Sequence, residues 1–266
     1  MANLFDKKIL IGMVHTPALP GTINYKGSMK EVIERSVSDA KTLSDAGVDA
    51  LIVENFNDYP MSNYLQTEQI AALAAVAQAV KEVINIPMGI DAAFTDTKAS
   101  IAIAVAVGAD FIRIPVFVDT VVTADGFALP SASEAVRYRR MLQAENILFL
   151  ADIQTKHTHM LSKDVTIEES AELASESGAD AIIITGQHTG QATPLEDIEK
   201  VRKVTKLPLL VGSGFNIKNA EEQLKVVDGA IVGSAFKEGG IISNPIDYEK
   251  TKSIMDKVNE IRKNLK

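Results

Sequence analysis

Acidic, basic and imidazole side chains follow several short apolar runs of this sequence, and their types are those used in acid/base catalysis. The candidate catalytic groups are Glu54, Asp91, Asp152, Lys156 and His157. A carboxylate and an imidazole on opposite walls of one site can move protons on a bound ligand. Lys156 offers an alternative chemistry, because a lysine whose pKa is lowered by burial can form a Schiff base with a carbonyl substrate.

A second group of residues is expected to orient the ligand. These residues are His15, Asn55, Arg113, Thr185 and Gly186. The segment His157-Thr158-His159, near the carboxylates, supplies ligand types for a divalent metal, but the sequence contains no His-Glu-x-x-His spacing. We therefore predict no cofactor and no metal ligand, with a divalent metal as the weaker alternative.

Two turns rich in glycine and serine near the end of the chain have the composition of a phosphate site. Each follows a short apolar run, at 211–215 and at 231–236. Glycine lets the backbone approach an anion closely, and N–H groups at a helix start carry partial positive charge. The predicted phosphate-binding residues are Gly212, Ser213, Gly214, Gly233 and Ser234. Residues 236–240 are predicted to form a short extra helix.

Eight apolar, β-branched runs, separated by segments of helical period, are available to position these groups. The predicted strands are 8–14, 50–53, 86–90, 111–114, 147–151, 181–184, 209–211 and 230–232. Near-continuous apolar runs suit strands that are buried on both faces of a parallel sheet. The alternation predicts a single (β/α)8 TIM-barrel domain over residues 1–266, in preference to a doubly wound sheet. Capping-box patterns predict helix starts at Ser28, Ser131, Thr166 and Thr193.

A Gly-x-Asp pattern precedes the second, fourth and sixth of these runs, at Gly47, Gly108 and Gly178, and Asp228-Gly229 echoes it before the eighth. The glycine is predicted to end a helix before the next strand begins. In a parallel barrel, reactive groups gather at the carboxyl ends of the strands. All four histidines fall at or just beyond predicted strand ends, namely His15, His157, His159 and His188. His188 and Gln191 suit a structural loop as well as a ligand contact.

The overall composition restricts the function further. The chain has 266 residues, 46% of them hydrophobic, a formal net charge of −8 and no cysteine. An acidic chain lacks the clustered positive charge that binds nucleic acids or anionic membranes, and the lack of cysteine excludes disulfides and thiolate chemistry. No signal peptide and no membrane-spanning run is recognised. We predict a soluble cytoplasmic protein that takes a small phosphorylated ligand, with homo-oligomerisation compatible with the fold.

Several motifs resemble those of the BtpA/SgcQ family. The likeness is carried by Gly12-Met13-Val14-His15 with Pro17 and Gly21, by Glu54-Asn55-Phe56 with Asp58 and Pro60, by Asp152 with Lys156-His157, and by Val211-Gly212-Ser213-Gly214. The resemblance spans nearly the whole chain and implies a ribulose-phosphate-binding-type barrel. Members of that family are implicated in photosystem I biogenesis, associated with sugar utilisation or described as nucleosidases. The resemblance therefore implies no single reaction.

The residues favour an enzyme that acts on a sugar phosphate or on a nucleoside or nucleotide derivative. Isomerisation, epimerisation, aldol cleavage and glycosidic cleavage are all compatible with the predicted groups. The alternative is a non-catalytic assembly or regulatory factor that uses the barrel as a binding scaffold, for which an exposed apolar patch is expected. The long connections 55–66 and 115–130 are predicted to be either lids over the ligand or subunit contacts.

Overall fold

The computed structural model describes residues 4–186 and 192–265, which contain eleven strands and eight α-helices. The strands are β1 (Ile9–His15), β2 (Ala50–Glu54), β3 (Met88–Asp91), β4 (Phe111–Ile114), β5 (Val121–Thr123), β6 (Gly126–Ala128), β7 (Leu148–Ile153), β8 (His159–Met160), β9 (Ala181–Ile184), β10 (Leu209–Val211) and β11 (Gly229–Val232). The helices are α1 (Met29–Asp45), α2 (Thr67–Lys81), α3 (Thr97–Val107), α4 (Ala132–Met141), α5 (Ile167–Glu176), α6 (Leu195–Val204), α7 (Ala220–Leu224) and α8 (Tyr248–Asn264).

Eight of the strands form a closed parallel barrel. Their order around the barrel is β1, β2, β3, β4, β7, β9, β10 and β11, and β11 pairs back with β1. The structure confirms the predicted (β/α)8 fold, and the predicted strand ends differ from the observed ones by at most two residues. All of the barrel strands therefore direct their carboxyl ends to one face, where the predicted reactive groups follow them.

The barrel interior is a packed apolar core. Phe111 on β4 is fully buried there among the inward-facing residues of the other strands. Its ring occupies space that Gly89 on β3 leaves open, because a Cβ at Gly89 would lie 2.2 Å from a ring carbon. The remaining strand residues face outward and pack against the helices in a second, larger apolar layer. Because the interior is filled, ligands have to bind at an end of the barrel.

The aspartate of the repeated Gly-x-Asp pattern has a structural role at the amino-terminal end of the barrel. In each repeat its carboxylate accepts a backbone N–H from the neighbouring, preceding barrel strand. The pairs are Asp49 with Leu10, Asp110 with Met88, Asp180 with Phe149 and Asp228 with Leu209, at 2.7–2.9 Å. Each aspartate also forms a salt bridge with a cation on a helix, in the same order Arg262, Lys81, Arg139 and Arg202. These contacts lie at the end where barrel residues serve stability.

Two of the four predicted helix caps are confirmed. The Ser28 hydroxyl accepts the backbone N–H of Glu31, and Thr166 forms a full capping box at the start of α5. Helix α4 also begins directly after Ser131, and α6 begins two residues after Thr193, but neither side chain caps its helix. The Ser131 hydroxyl donates to the Val116 carbonyl, and the Thr193 hydroxyl donates to the Ile184 carbonyl at the end of β9. None of the helices in residues 4–186 and 192–265 is long and apolar enough to cross a membrane.

A small antiparallel sheet covers part of the carboxyl end of the barrel. It consists of β6, β5 and β8, which belong to the connections after β4 and β7. Asn63, in the connection after β2, joins this sheet through its side chain: Oδ1 accepts from Thr123 at 3.1 Å and Nδ2 donates to the Phe127 carbonyl at 3.3 Å. The Asn63 backbone N–H also donates to Asp125 at 2.8 Å. The two long connections are therefore joined to each other above the barrel.

Candidate active site at the carboxyl end of the barrel

Two adjoining cavities open at the carboxyl end of the barrel. The larger has a volume of about 460 Å³ and is lined by the connections after β2, β3, β4 and β7 and by Ile242 after β11. The smaller, of about 30 Å³, lies between the ends of β1, β10 and β11. The residues that line both are Glu54, Phe56, Arg113, Lys156 and Ile242. The predicted site residues in the described part of the chain all line one of these cavities, except Asp152, Thr185 and Gly186.

Arg113, at the end of β4, is the central cation of the site. Its Nε and Nη2 atoms donate to the two carboxylate oxygens of Asp152 at 3.1 and 2.8 Å. Its Nη1 atom lies 3.8 Å from Asp91 Oδ2 and 4.0 Å from Glu54 Oε1. Burial alone would lower the pKa of Arg113. The neighbouring carboxylates, Asp152 foremost, outweigh this effect, and the net result is a raised pKa. The guanidinium is therefore charged at any physiological pH.

Asp152 supports the site from behind the cavity wall. It is completely buried, and besides Arg113 its Oδ2 atom accepts the hydroxyl of Thr155 at 3.0 Å. With both oxygens engaged and no surface on either cavity, this carboxylate is not placed to meet a ligand. Its contacts hold Arg113 in position, and its catalytic role stays a prediction.

Glu54 and His15 form a hydrogen-bonded pair on neighbouring strands. His15 Nε2 lies 3.0 Å from Glu54 Oε2, and the imidazole is buried against the ring of Phe56. Burial alone would raise the pKa of Glu54, but the hydrogen bond from His15 and the nearby Arg113 and Lys156 lower it to about 2. Burial lowers the pKa of His15, so we assign a neutral imidazole that donates from Nε2. In this tautomer the buried Nδ1 atom is a hydrogen-bond acceptor, and it has no donor partner among the described residues.

Asp91 differs from the other carboxylates of the site in its surroundings. It ends β3 beside Glu54 in the strand register, and its side chain is buried. Its Oδ2 atom has no hydrogen-bond partner in the described part of the chain. Burial and the negative charge of Glu54 raise the pKa of Asp91 well above its ordinary value. Two adjacent strand ends thus present carboxyl groups whose pKa values are shifted in opposite directions.

Lys156 lies in a tight turn after β7 that returns the chain to the barrel mouth. Gln154 and His157, on either side of it, have positive φ values of 44° and 62°. Such backbone conformations are uncommon outside glycine and persist where surrounding contacts fix them, as the hydrogen bond from Gln154 N to Asp119 does here. Lys156 Nζ reaches to 3.5 Å from the Gly212 carbonyl, and burial together with the charge of Arg113 lowers its pKa.

The predicted phosphate-binding turns line the smaller cavity. Gly214 has a φ of +67°, a left-handed conformation that favours glycine. Gly233 is in close contact with the opposite wall, since a Cβ there would lie 3.2 Å from His15 Cε1. A 3-10 turn begins at Ser234, so the N–H groups of its first residues have no acceptor within the turn. The two turns therefore place small residues and backbone donors around one space.

The chain after these turns is held by a buried ion pair. The predicted short helix is two 3-10 turns, Ser234–Phe236 and Glu238–Gly240, separated by Lys237. Lys237 is buried and its Nζ atom donates to Asp39 on α1 at 2.8 Å. The other carboxylate oxygen of Asp39 accepts the backbone N–H of Ile246 at 3.0 Å. The position of the turn after β11 is thus fixed against helix α1.

The model of the BtpA family matches residues 6–260. The chain belongs to the BtpA family. A 40% identical relative in Pyrococcus furiosus, aligned over 97% of both chains, is uncharacterised. A relative in Synechocystis, 32% identical over 94% of this chain and 88% of its own length, carries the name photosystem I biogenesis protein BtpA.

Solved structures resemble this BtpA-family protein in fold. Thiamine phosphate pyrophosphorylase from Pyrococcus furiosus superposes with a TM-score of 0.59 over 99% of both chains, at 17% sequence identity. Identity at this level shows a shared barrel and carries no assignment of substrate. The fold expected from the family resemblance is therefore found, and the reaction has to be argued from the site itself.

Thr185 and Gly186 support the site of this BtpA-family protein from outside the cavities. The Thr185 hydroxyl accepts the backbone N–H of Lys156 at 3.0 Å. The backbone N–H of Gly186 donates to the Ser213 hydroxyl at 2.7 Å. These contacts hold the lysine turn and the first glycine turn, and the direct contact of Thr185 and Gly186 with a ligand stays a prediction.

The histidines of the BtpA-family chain do not gather as a metal site in the described ranges. His157 lines the larger cavity, whereas His159 lies on β8 and pairs with Val122 of β5. Across residues 4–186 and 192–265, no three histidine or acidic side chains are arranged to hold a metal ion. His188 and Gln191 lie outside the described residues.

Several residues that line the larger cavity of the BtpA-family site were not predicted from the sequence. They include Tyr59, Met61, Asn63, Phe94 and Ile242, which come from the connections after β2, β3 and β11. Phe56 gave a signal, since it follows directly on the Glu54-Asn55 pair in a motif of the family. For Phe94 and Ile242 the sequence contains no comparable signal, because an apolar residue in a loop does not reveal which surface it covers.

Proposed function

We propose that this chain is an enzyme that acts on a small phosphorylated ligand by acid/base chemistry. The observation that carries the proposal is the pair at the ends of β2 and β3, where Glu54, with a lowered pKa, and Asp91, with a raised pKa, both line one ligand space. Environments that push the pKa values of two neighbouring carboxyl groups apart are typical of acid/base sites. Asp91 would donate a proton and Glu54 would accept one.

The glycine turns support a phosphate at one end of the ligand. Gly212, Ser213 and Gly214 face Gly233 and Ser234 across the smaller cavity. Barrels of this type bind phosphate after their seventh and eighth strands, which here are β10 and β11. The thiamine phosphate pyrophosphorylase that shares the fold has a phosphate compound in its name, which is an argument by analogy.

The cations next to this space complete the proposed roles. Lys156 lines both cavities and would balance the phosphate charge, while Arg113 would orient the atoms next to it. His157 and Asn55 line the larger cavity and would contact the part of the ligand that carries no phosphate. Isomerisation, epimerisation, aldol cleavage and glycosidic cleavage all need a donor and an acceptor of protons placed in this way.

A ligand screen by thermal shift tests the proposal. A compound present at 100 times its Kd adds about 2.7 kcal/mol of stability, which is a rise in Tm of about 5 °C or more for a chain of this size. Inorganic phosphate and a panel of sugar phosphates and nucleotides are the probes. Asp180→Asn, at the opposite end of the barrel, is the matched control and should keep any ligand-induced shift. A panel in which no phosphorylated compound raises Tm contradicts the proposal.

A second candidate function is a scaffold for the assembly of other proteins. The name of the Synechocystis relative supports it, as do three apolar side chains on and beside the small sheet that are well exposed to solvent, Phe127, Leu129 and Leu161. A scaffold would keep its partner binding when Asp91 is changed to Asn and lose it when Phe127 and Leu129 are changed to Ser. An enzyme would lose turnover when Asp91 is changed to Asn and keep it when Phe127 and Leu129 are changed to Ser.

A further inference from the structure

The two cavities share five lining residues, and their remaining walls are unlike. The smaller end is bounded by glycine turns and backbone donors, and its volume of about 30 Å³ admits only a compact group. The larger end, of about 460 Å³, has the size of cavities that bind whole organic molecules. Glu54, Arg113 and Lys156 lie at the junction because they line both. A ligand anchored in the small end must therefore extend past these three side chains into the large one.

The walls of the larger cavity are apolar on several sides. Phe56, Tyr59, Met61, Phe94 and Ile242 all line it. Phe94 packs against the apolar cluster that contains Val116, in the connection after β4, and Val121 of the small sheet. Aromatic and aliphatic walls of this kind gain free energy by removing apolar surface from water, and the hydroxyl-covered surface of a sugar offers little of it.

The floor of the same cavity is polar and only partly satisfied. Asn55 Oδ1 and Asp91 Oδ2 are both buried and have no hydrogen-bond partner among the described residues. Arg113 Nη1 is 3.8 Å from Asp91 Oδ2, which is beyond hydrogen-bonding distance. Buried polar atoms are nearly always paired in native proteins, so atoms left over in a cavity indicate groups that a ligand contacts.

We propose that the ligand has two parts: a phosphate-bearing part in the small cavity, and an uncharged ring-sized group with a hydrogen-bonding edge in the large one. The ring would lie between Phe56 and Phe94, and its edge would meet Asn55 and Asp91. This inference rests on the proposed function and names its substrate class. A bare sugar phosphate would leave the apolar walls and both floor atoms without contacts.

A matched series of three probes tests the proposal by titration calorimetry. Inorganic phosphate occupies only the small cavity, ribose 5-phosphate adds the sugar, and adenosine or uridine 5′-monophosphate adds an uncharged ring with donors and acceptors on its edge. Burial of one ring should make at least one of the nucleotides bind roughly 10- to 100-fold more tightly than ribose 5-phosphate. If both nucleotides bind no better than ribose 5-phosphate, the two-part ligand is refuted while the phosphate site stands. If none of the probes binds, the proposed function itself fails.

Substitutions at Phe94 locate the effect. Phe94→Ala should reduce nucleotide affinity roughly 10-fold and leave the affinity for inorganic phosphate unchanged, because Phe94 lines only the larger cavity. Phe127→Ala removes an equally large ring from the outer surface of the small sheet and is the matched control, with no effect expected. Phe94→Leu, which preserves packing against the sheet, covers the case in which the alanine variant is unstable. A nucleotide preference that survives both changes at Phe94 would overturn the placement of the ring.

Discussion

The protonation of Asp91 can be tested without knowing the ligand, through the pH dependence of stability. A group whose pKa is raised in the folded state contributes stability that is fully present below its unfolded pKa and is lost as pH rises through the folded pKa. Wild-type protein should therefore lose up to about 1.4 kcal/mol per pH unit from this one group. Asp91→Asn keeps the shape of the side chain but cannot ionise, so the variant does not show this loss of stability with rising pH. The free energy of unfolding of the variant should therefore increase relative to that of the wild type as pH rises from 5 to 8.

Glu54 provides a control with the opposite sign. Its pKa falls from 4.5 to about 2 on folding, which corresponds to about 3 kcal/mol of stability that is present above pH 4.5 and lost as pH falls below it. Because the charge of Glu54 helps to raise the pKa of Asp91, the comparison is made in the Asp91→Asn background. Adding Glu54→Gln there should lower stability by a constant amount between pH 5 and 8.

Urea denaturation at pH 5, 6, 7 and 8 gives both differences from the same four proteins, namely wild type, the two single variants and the double variant. The difference in free energy of unfolding between Asp91→Asn and wild type should grow with pH. The difference between the double variant and Asp91→Asn should stay constant. An infrared carbonyl band of a protonated carboxylic acid, present in wild type at pH 7 and absent from Asp91→Asn, is an independent measure. A pH-independent difference for Asp91→Asn would refute the assignment of the proton.

Three further substitutions separate stability from binding. Asp180→Asn weakens the hydrogen bond to Phe149 N at the far end of the barrel, and should lower the free energy of unfolding by about 1–2 kcal/mol with ligand affinity unchanged, as urea denaturation and calorimetry can show. Gly233→Ala brings a Cβ to 3.2 Å from His15 and should weaken the binding of inorganic phosphate about 10-fold or more with little change in Tm; unchanged binding would place the anion elsewhere. Asn63→Ala removes the side-chain hydrogen bonds that join the two long connections, and should increase amide hydrogen exchange in 57–65 and 120–128.

The barrel could be predicted from the sequence because its signals are local and repeated. Each apolar run is long enough to identify a strand buried on both faces, and each glycine of the repeat marks a helix end. The role of the repeated aspartates was not predictable in the same way. Asp110, for example, accepts from Met88 across two adjacent strands, a contact that depends on strand pairing and not on neighbours in the chain.

The candidate site was predictable in its membership and less so in its detail. A residue type at a strand end shows that a group lies at the mouth of the barrel, which holds for Glu54, Asp91 and Arg113. It does not show whether the side chain faces the cavity or its supporting wall, and Asp152 proved to be on the wall. The small sheet that brings Phe94 into the site was not predictable either, since its three strands are only two or three residues long.

The carboxyl groups also show why chemistry could not be assigned from residue types alone. Glu54, Asp91 and Asp152 surround the same arginine, and each is buried or nearly so. What distinguishes them is their supply of hydrogen-bond donors. Asp152 receives two N–H groups of Arg113 and a hydroxyl, and Glu54 receives the imidazole of His15, whereas Asp91 Oδ2 receives none from the described residues. Donors stabilise the charged form of a carboxylate, and their absence at Asp91 Oδ2 leaves burial and the charge of Glu54 to raise the pKa of that group. Three carboxyl groups on neighbouring strand ends therefore differ in their surroundings, and the proposed roles follow from that difference: Asp152 would hold the arginine, Glu54 would accept a proton, and Asp91 would donate one.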